Sequence, residues 1–347
     1  MRATVFTGTR SVELQEVPDP RLVEPTDVVV RVVAACVCGS DLWHYRGETS
    51  KAPGTRIGHE MVATVEQVGD DVRTLAVGDL VVAPFLISDG TCAHCRAGMP
   101  AACVDLRSWG AGDIDACQGD AARVPLADGT LVPVPGMNGT VPDDALLRSL
   151  LTLSDVMGTG HHAAVSAGVR PGSTVAVVGD GAVGLCGVLA ASRLGAGRII
   201  ALSRHADRQA LARRLGATEI VAVRGEDAVT AVLEATDGIG ADAVLECVGT
   251  EQSMTTAFAV ARPGSTVGFV GVPHGVQVPI GQMFSRNIGL AGGMAPTRAY
   301  LPELLDDVLA GRIDPGLVMD DVLPLADVAE AYRRMDERES IKVMLRP

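Results

Sequence analysis

A chain of 347 residues exceeds one ordinary domain and suits two. Hydrophobic residues at 47% with 20% charged exclude a disordered chain, and aromatics at only 3% leave the core to Val, Leu, Ile and Ala. A net charge of −13 argues against the basic surface that nucleic acid or an anionic membrane requires.

The opening M-R-A-T-V-F-T-G-T has no apolar segment of the secretory-signal kind, and no uninterrupted apolar run reaches ~18 residues. A cytoplasmic protein with no membrane span and no nucleic-acid partner is expected. In that compartment clustered cysteines read as metal ligands before disulfides.

To about residue 150 the chain is rich in Val, Thr, Gly and Pro. Short β-type runs at 27–33, 62–68 and 79–83 are separated by turn signals, which predicts an irregular β-barrel or sandwich. Three segments carry metal-binding side chains: A-C-V-C-G-S-D-L (35–42), I-G-H-E-M (57–61) and L-S-D-V-M-G-T-G (153–160). Cysteine, histidine and carboxylate all ligate zinc, and three protein ligands leave a fourth position for substrate. Between them, S-D-G-T-C-A-H-C-R-A-G-M-P-A-A-C (88–103) spaces Cys92, Cys95 and Cys103 like a zinc loop, one ligand short of a closed tetrahedral site. Cys117, Cys186 and Cys247 are scattered and read as small buried residues.

From about residue 170 strands and helices alternate. Strands are predicted at 174–178, 198–202, 219–222, 242–246, 266–270 and 288–291, with helices at 182–195, 206–215, 227–236 and 252–261. Such alternation implies a parallel sheet with helices on both faces. V-A-V-V-G-D-G-A-V-G-L (175–185) sets Gly179, Gly181 and Gly184 around Ala182 and Val183 as G-x-G-x-x-G, after a strand and at the start of a helix. That context points to dinucleotide pyrophosphate bound at the helix N-terminus.

An NAD site would place an acid ~20 residues further on, against the ribose 2′-hydroxyl. Here A-L-S-R-H-A-D-R (201–208) puts Ser203 in that place, followed by Arg204, His205 and Arg208. A small hydroxyl leaves room for a 2′-phosphate and guanidinium groups pair with it, so NADP is predicted over NAD. Asp207 falls in the first turn of the next helix, where the dipole favours an acid. Helices at 302–310 and 325–338 follow. A last strand at 340–346 is expected to rejoin the first part, making the nucleotide domain an insertion.

Taken together, C-G-S-D, G-H-E, the cysteine loop, G-D-G-A-V-G and the closing S-I-K-V-M-L-R-P resemble the zinc-dependent medium-chain alcohol dehydrogenases over essentially the whole chain. The resemblance implies an α/β protein of two domains. One is a catalytic zinc-binding domain with a chaperonin-10-like β-barrel, over 1–155 and 293–347. The other is a Rossmann NADP-binding domain with a doubly wound parallel sheet, over 156–292. Zinc and nicotinamide are expected to meet in the cleft between them.

Carried over by position, Cys38 and His59 are expected catalytic zinc ligands. Asp155 stands where the family usually has cysteine, a pattern similar to bacterial NADP-dependent secondary alcohol dehydrogenases and some formaldehyde dehydrogenases. Glu60 lies beside the metal and binds it in some members. Ser40 matches the hydroxyl that receives the alcohol proton; the histidine that commonly follows in the relay is replaced by Trp43, with His44 one place on. Members with a second, structural zinc carry C-x-x-C-x-x-C-x7-C. Cys92, Cys95 and Cys103 match its last three positions and Asp89 its first, so a site of one aspartate and three cysteines is expected.

Thr159, Val270 and Val272 match segments lining the nicotinamide, and Lys342 a lysine that reaches the cofactor phosphate. The implied reaction interconverts an alcohol with an aldehyde or ketone. Zinc acts as the Lewis acid, Ser40 takes the proton, and hydride passes to or from NADP. A small-molecule substrate is expected, and a homo-oligomer, dimer or tetramer, through the Rossmann sheet edge. Two alternatives stand beside this reading. A zinc-independent quinone or enoyl reductase of the same superfamily would lack Cys38 and His59. A non-catalytic NADP-binding sensor would have no use for the intact ligand and hydroxyl positions.

Overall fold

Val28–Cys36, V-V-V-R-V-V-A-A-C, is the spine of the first half of the fold: β-branched residues suit a strand, and only Arg31 in it is exposed. It pairs antiparallel along one edge with Met61–Val68. Its other edge is shared, residues 28–31 pairing with Ala121–Val124 and residues 35–36 with Val343–Arg346. The resulting seven-stranded sheet also takes in Leu80–Ala83, Val132–Pro133 and Asp321–Pro324. A smaller sheet joins Arg2–Gly8 to Ser11–Glu16 and Thr55–Arg56. The enclosed core is aliphatic, with Val28, Val30, Met61 and Val81 fully buried and Trp109 its one large ring.

Register decides what this sheet presents. Ala35 lies opposite Met61 and also opposite Leu345. The residues just past Cys36, those just before Met61 and those just before Val343 therefore converge on one end.

A second sheet has six strands, all parallel. Counted along the chain, its spatial order is 3-2-1-4-5-6: Glu219–Val221, Arg198–Leu202, Thr174–Val178, Ala241–Glu246, Ala261–Phe269 and Gly289–Gly292. Runs such as V-A-V-V and I-I-A are buried on both faces, as parallel strands covered by helices require. The order reverses beside Thr174–Val178, the topological switch point where such sheets bind ligands. This is the Rossmann arrangement.

The computed structural model describes residues 1–347. The chain separates into two units, Met1–Asp155 with Pro296–Pro347, and Val156–Ala295. No helix is long and apolar enough to cross a membrane.

Several elements differ from expectation. Asp144–Thr152 and Val156–Ser166 are helices that the β-type texture of the first 150 residues and the metal-ligand segment obscured. The first announces itself only by its cap, Asp143 accepting from the Leu146 N–H at 2.9 Å. The helix expected at 302–310 begins at Thr297 and carries Pro302 inside it. The last strand is Val343–Arg346 rather than 340–346, because the N–H groups of Ile341 and Lys342 are taken by the Asp320 carboxylate at 2.9 and 3.1 Å.

Candidate active site and second metal-binding loop

At the convergent end of the first sheet the chain leaves Val28–Cys36 and turns into the short helix Asp41–Tyr45. Cys38, between the two, is buried, and its N–H donates to the Asp41 carboxylate at 3.0 Å. Gly58 opens the opposite strand with φ +103°, and a Cβ there would meet Gln118 Cγ at 2.4 Å, so only glycine carries the chain into His59 and Glu60. Asp155 arrives from a third direction, in the turn that follows Asp144–Thr152.

Four residues named from sequence are thus brought together. The donor atoms of Cys38, His59, Glu60 and Asp155 all lie within 4.8 Å of one another. Cys38 Sγ is 3.4 Å from Asp155 Oδ2, and His59 Nε2 is 3.4 Å from the same oxygen. A tetrahedral zinc with bonds of about 2.0–2.3 Å holds its donors about 3.3–3.8 Å apart, so these three fit the ion in spacing and in type. Glu60 stands slightly outside, 3.9 Å from His59 Nε2.

Asp41, quoted in the C-G-S-D motif but given no role, sits behind this group. Its Oδ1 is 3.4 Å from His59 Nδ1, the placement of a carboxylate that fixes a ligating imidazole. Burial alone would push the His59 pKa down, but Asp41, Cys38 and Asp155 outweigh it and hold it well above the ordinary value. Phe85 packs edge-on against the His59 ring, centroids 6.5 Å apart. Ser40 is half-buried at the start of the Asp41–Tyr45 helix, and its side chain caps nothing there. His44 bonds instead to Thr49, Nδ1 to Oγ1 at 2.8 Å, and Trp43 is half-buried.

Lys342, matched by the resemblance to a lysine at the cofactor phosphate, has a side chain 1% exposed, with Nζ donating to Glu60 Oε1 at 2.7 Å and to the Val37 carbonyl at 3.3 Å. Burial opposes its charge, yet Cys36 and Glu60 hold its pKa well above the ordinary value. The ammonium serves the Glu60 side of the metal-ligand group. A lone lysine near a strand gives no sign of this in sequence; only the register that sets Met344 opposite Cys36 does.

The cysteine loop forms a second group. The ligand atoms of Asp89, Cys92, Cys95 and Cys103 also lie within 4.8 Å of one another. Cys92 Sγ and Cys103 Sγ are 3.9 Å apart, near the edge of a zinc tetrahedron with ~2.3 Å Zn–S bonds. Backbone N–H groups point at the sulfurs, Asp89 and Asp105 to Cys103 at 3.3 and 3.4 Å and Cys95 to Cys92 at 3.5 Å. Burial would raise the Asp89 pKa, but the Cys92 and Thr91 N–H groups hold it well below the usual carboxylate range. Burial and the neighbouring Cys92, Cys103 and Asp89 push the Cys95 thiol up to about 12. None of the eight cysteines is in a disulfide.

In the second unit the glycine turn follows Thr174–Val178 and opens the helix Ala182–Arg193 at its cap, Gly181. The glycines differ in what they allow. A Cβ on Gly184 would meet the Gly179 carbonyl oxygen at 2.1 Å, so helix and turn pack directly there, whereas a Cβ on Gly181 would meet no protein atom within 4 Å. Packing does not require glycine at 181; an approaching pyrophosphate does, and the cap offers its N–H groups with no side chain on them. The residues present therefore fit a dinucleotide. Ala182 and Val183 lie in the first helical turn. Ser203 follows directly on the next strand, Arg198–Leu202, and is buried, with Arg204 exposed beyond it and Arg208 on the helix Ala206–Arg214. Val270 and Val272 follow Ala261–Phe269, Val272 being 53% exposed, and Thr159 lies on Val156–Ser166.

Sequence and structure comparisons agree with this geometry. Residues 24–136 match the alcohol dehydrogenase GroES-like domain, and residues 182–310 the zinc-binding dehydrogenase family. A probable zinc-binding alcohol dehydrogenase of Mycobacterium tuberculosis is 39% identical, over 100% of this chain and 89% of the relative. The solved alcohol dehydrogenase TADH from Thermus sp. ATN1 superposes with a TM-score of 0.91 at 33% identity, covering 100% of this chain and 99% of the other. A putative zinc-binding dehydrogenase from Sinorhizobium meliloti, solved bound to NADP, gives 0.83 at 25% identity, with 100% and 99% covered. A GroES-like barrel joined to a Rossmann unit, with zinc-type relatives throughout, defines an oxidoreductase. The chain belongs to the zinc-dependent medium-chain dehydrogenase family.

Proposed function

We propose that this protein interconverts a small alcohol with its aldehyde or ketone, using NADP and a zinc ion held by Cys38, His59 and Asp155. The spacing of those three donor atoms, 3.4 Å from Asp155 to each of the other two, carries the reading. When bound, zinc supplies Lewis acidity toward a substrate oxygen and the nicotinamide supplies the hydride acceptor or donor. Asp41 holds the His59 ring in its ligating orientation. The Ser40 hydroxyl, free of any capping bond, takes or returns the substrate proton. Lys342 holds Glu60 to one side of the ligand group. Gly181 leaves room for the pyrophosphate, and the end of the Arg198–Leu202 strand receives the 2′-phosphate through Ser203, Arg204 and Arg208.

The cysteine loop is proposed as a structural zinc site completed by Asp89. Eight cysteines with no disulfide among them support a reducing, cytoplasmic setting. The open edge strand Gly289–Gly292 and the neighbouring Phe284, 88% exposed, support a homo-oligomer built on that edge.

Elemental analysis joined to an activity screen tests this. Two zinc ions per chain are expected, falling to one in His59→Ala and to one in Cys92→Ser. NADPH should be oxidised by some member of an aldehyde and ketone panel in wild type and lose at least ~100-fold in kcat/KM in His59→Ala. A zinc-free active enzyme, or His59→Ala with full activity, would overturn the reading and favour the zinc-independent reductase.

A further inference from the structure

The G-x-G-x-x-G pattern leaves its second position open, and here that position is an acid, Asp180. Its carboxylate reaches across to the end of the neighbouring strand. Oδ2 accepts the Ser203 hydroxyl at 2.8 Å. Oδ1 lies 3.5 Å from Arg208 Nη1, which also donates to the Asp180 backbone carbonyl at 3.3 Å. The acid and the guanidinium are largely sequestered, 15% and 13% exposed. The Ser203 carbonyl is tied in turn to Gln209 Nε2 at 2.9 Å, so the corner is built rather than loose. Arg204 stands exposed beside it and pairs with no acid.

Three side chains are assigned above to the 2′-phosphate of NADP, and two of them are already bonded to one carboxylate. A serine hydroxyl has a single proton to donate, and here Asp180 takes it. The acid that a NAD site carries at the end of the second strand is absent from position 203, yet a carboxylate occupies the same corner from the glycine turn. We propose that Asp180 sets cofactor selectivity. It is an internal anion that holds Ser203 and Arg208 while no phosphate is present, and it competes with the 2′-phosphate for both. The site therefore takes NADPH less tightly than its arginines alone would allow, and the margin over NADH narrows. A dianion drawn to the same hydroxyl and guanidinium comes within a few ångströms of the carboxylate, where like charges repel strongly in a partly desolvated corner. This inference rests on the NADP reading given under the proposed function.

The test is equilibrium binding to the zinc-containing protein, followed by the fluorescence of NADPH and NADH and by displacement with 2′,5′-ADP and 5′-AMP. Asp180→Asn should tighten NADPH and 2′,5′-ADP about tenfold and leave NADH and 5′-AMP within about twofold. Asp180→Ser, which keeps a hydrogen-bonding group without the charge, should do the same, and unchanged melting curves guard against a collapsed turn. Weaker NADH with NADPH unmoved would overturn the proposal, making Asp180 an acceptor for the ribose hydroxyl. No change in any of the four ligands would also overturn it and leave Asp180 a structural cap. Arg204→Ala separates the two levels. A selective loss of NADPH affinity upholds the phosphate reading whatever Asp180 does, and equal losses or none would remove that reading and this inference together.

Discussion

The Lys342–Glu60 pair is where the chemistry of single residues is sharpest. Both side chains are buried, at 1% and 0% exposure, and each is the other's counter-charge at 2.7 Å. Breaking a buried ion pair by removing one partner leaves an uncompensated charge and costs about 3–5 kcal/mol, whereas replacing both with apolar groups is often close to neutral. Lys342→Met should therefore lower the unfolding free energy by about that amount, and Lys342→Met with Glu60→Leu should recover most of it. Denaturant melts of the zinc-depleted protein would decide. A single-variant loss under about 1 kcal/mol would mean that water already reaches the pair. At this scale sequence reading was uneven for a physical reason. Cys38, His59 and Asp155 were nameable because cysteine, histidine and a carboxylate at motif positions have few other reasons to occur together. Asp41 acts on His59, Lys342 on Glu60, and Asp180 on Ser203 and Arg208, and any charged side chain can do that from any element the fold brings near. Their parts become visible only in the folded chain.

Elements reveal themselves through periodicity, and the two sheets do so unequally. The six parallel strands were legible because each is a short apolar run separated from the next by a helix. The helices Asp144–Thr152 and Val156–Ser166 were not; the second is buried on nearly every side and has no amphipathic stripe to betray it. The glycine turn between Thr174–Val178 and Ala182–Arg193 gives this scale its test. Gly184→Ala drives a Cβ to 2.1 Å from the Gly179 carbonyl oxygen, so it should lower the melting temperature along with cofactor affinity. Gly181→Ala meets no protein atom, so its melting temperature should stay within a degree or two of wild type while cofactor affinity falls at least tenfold. Thermal melts alongside cofactor titration separate them. A Gly181→Ala protein that binds cofactor normally would show that pyrophosphate does not approach that turn.

For the molecule as a whole, the net charge of −13 and the scarcity of aromatics say little about association, but the surface does. Ile280 and Phe284 are 67% and 88% exposed on the helix Ile280–Arg286, which leads into the edge strand Gly289–Gly292. Exposed apolar side chains on a helix that leads into an unpaired strand edge are a feature that chains cover. Phe284→Glu should shift the species seen by light scattering toward the monomer without altering zinc content. A wild-type protein that is already monomeric would remove the oligomer from the reading.

The first unit is interrupted, leaving off at Asp155 and resuming at Pro296, and this imposes an order on how the protein is made. Translation delivers Lys342 282 residues after Glu60, an interval of roughly 15–60 s at about 5–20 residues per second. During it the Val156–Ala295 segment emerges as one continuous stretch and can fold on local pairings. The barrel must wait, with the Ala35–Cys36 edge of its spine unpaired and Glu60 without its counter-charge, until Val343–Arg346 arrives. The nascent barrel is thus the part exposed to chaperones and proteases, and the corner that gathers Cys38, His59, Glu60 and Asp155 is among the last to be finished.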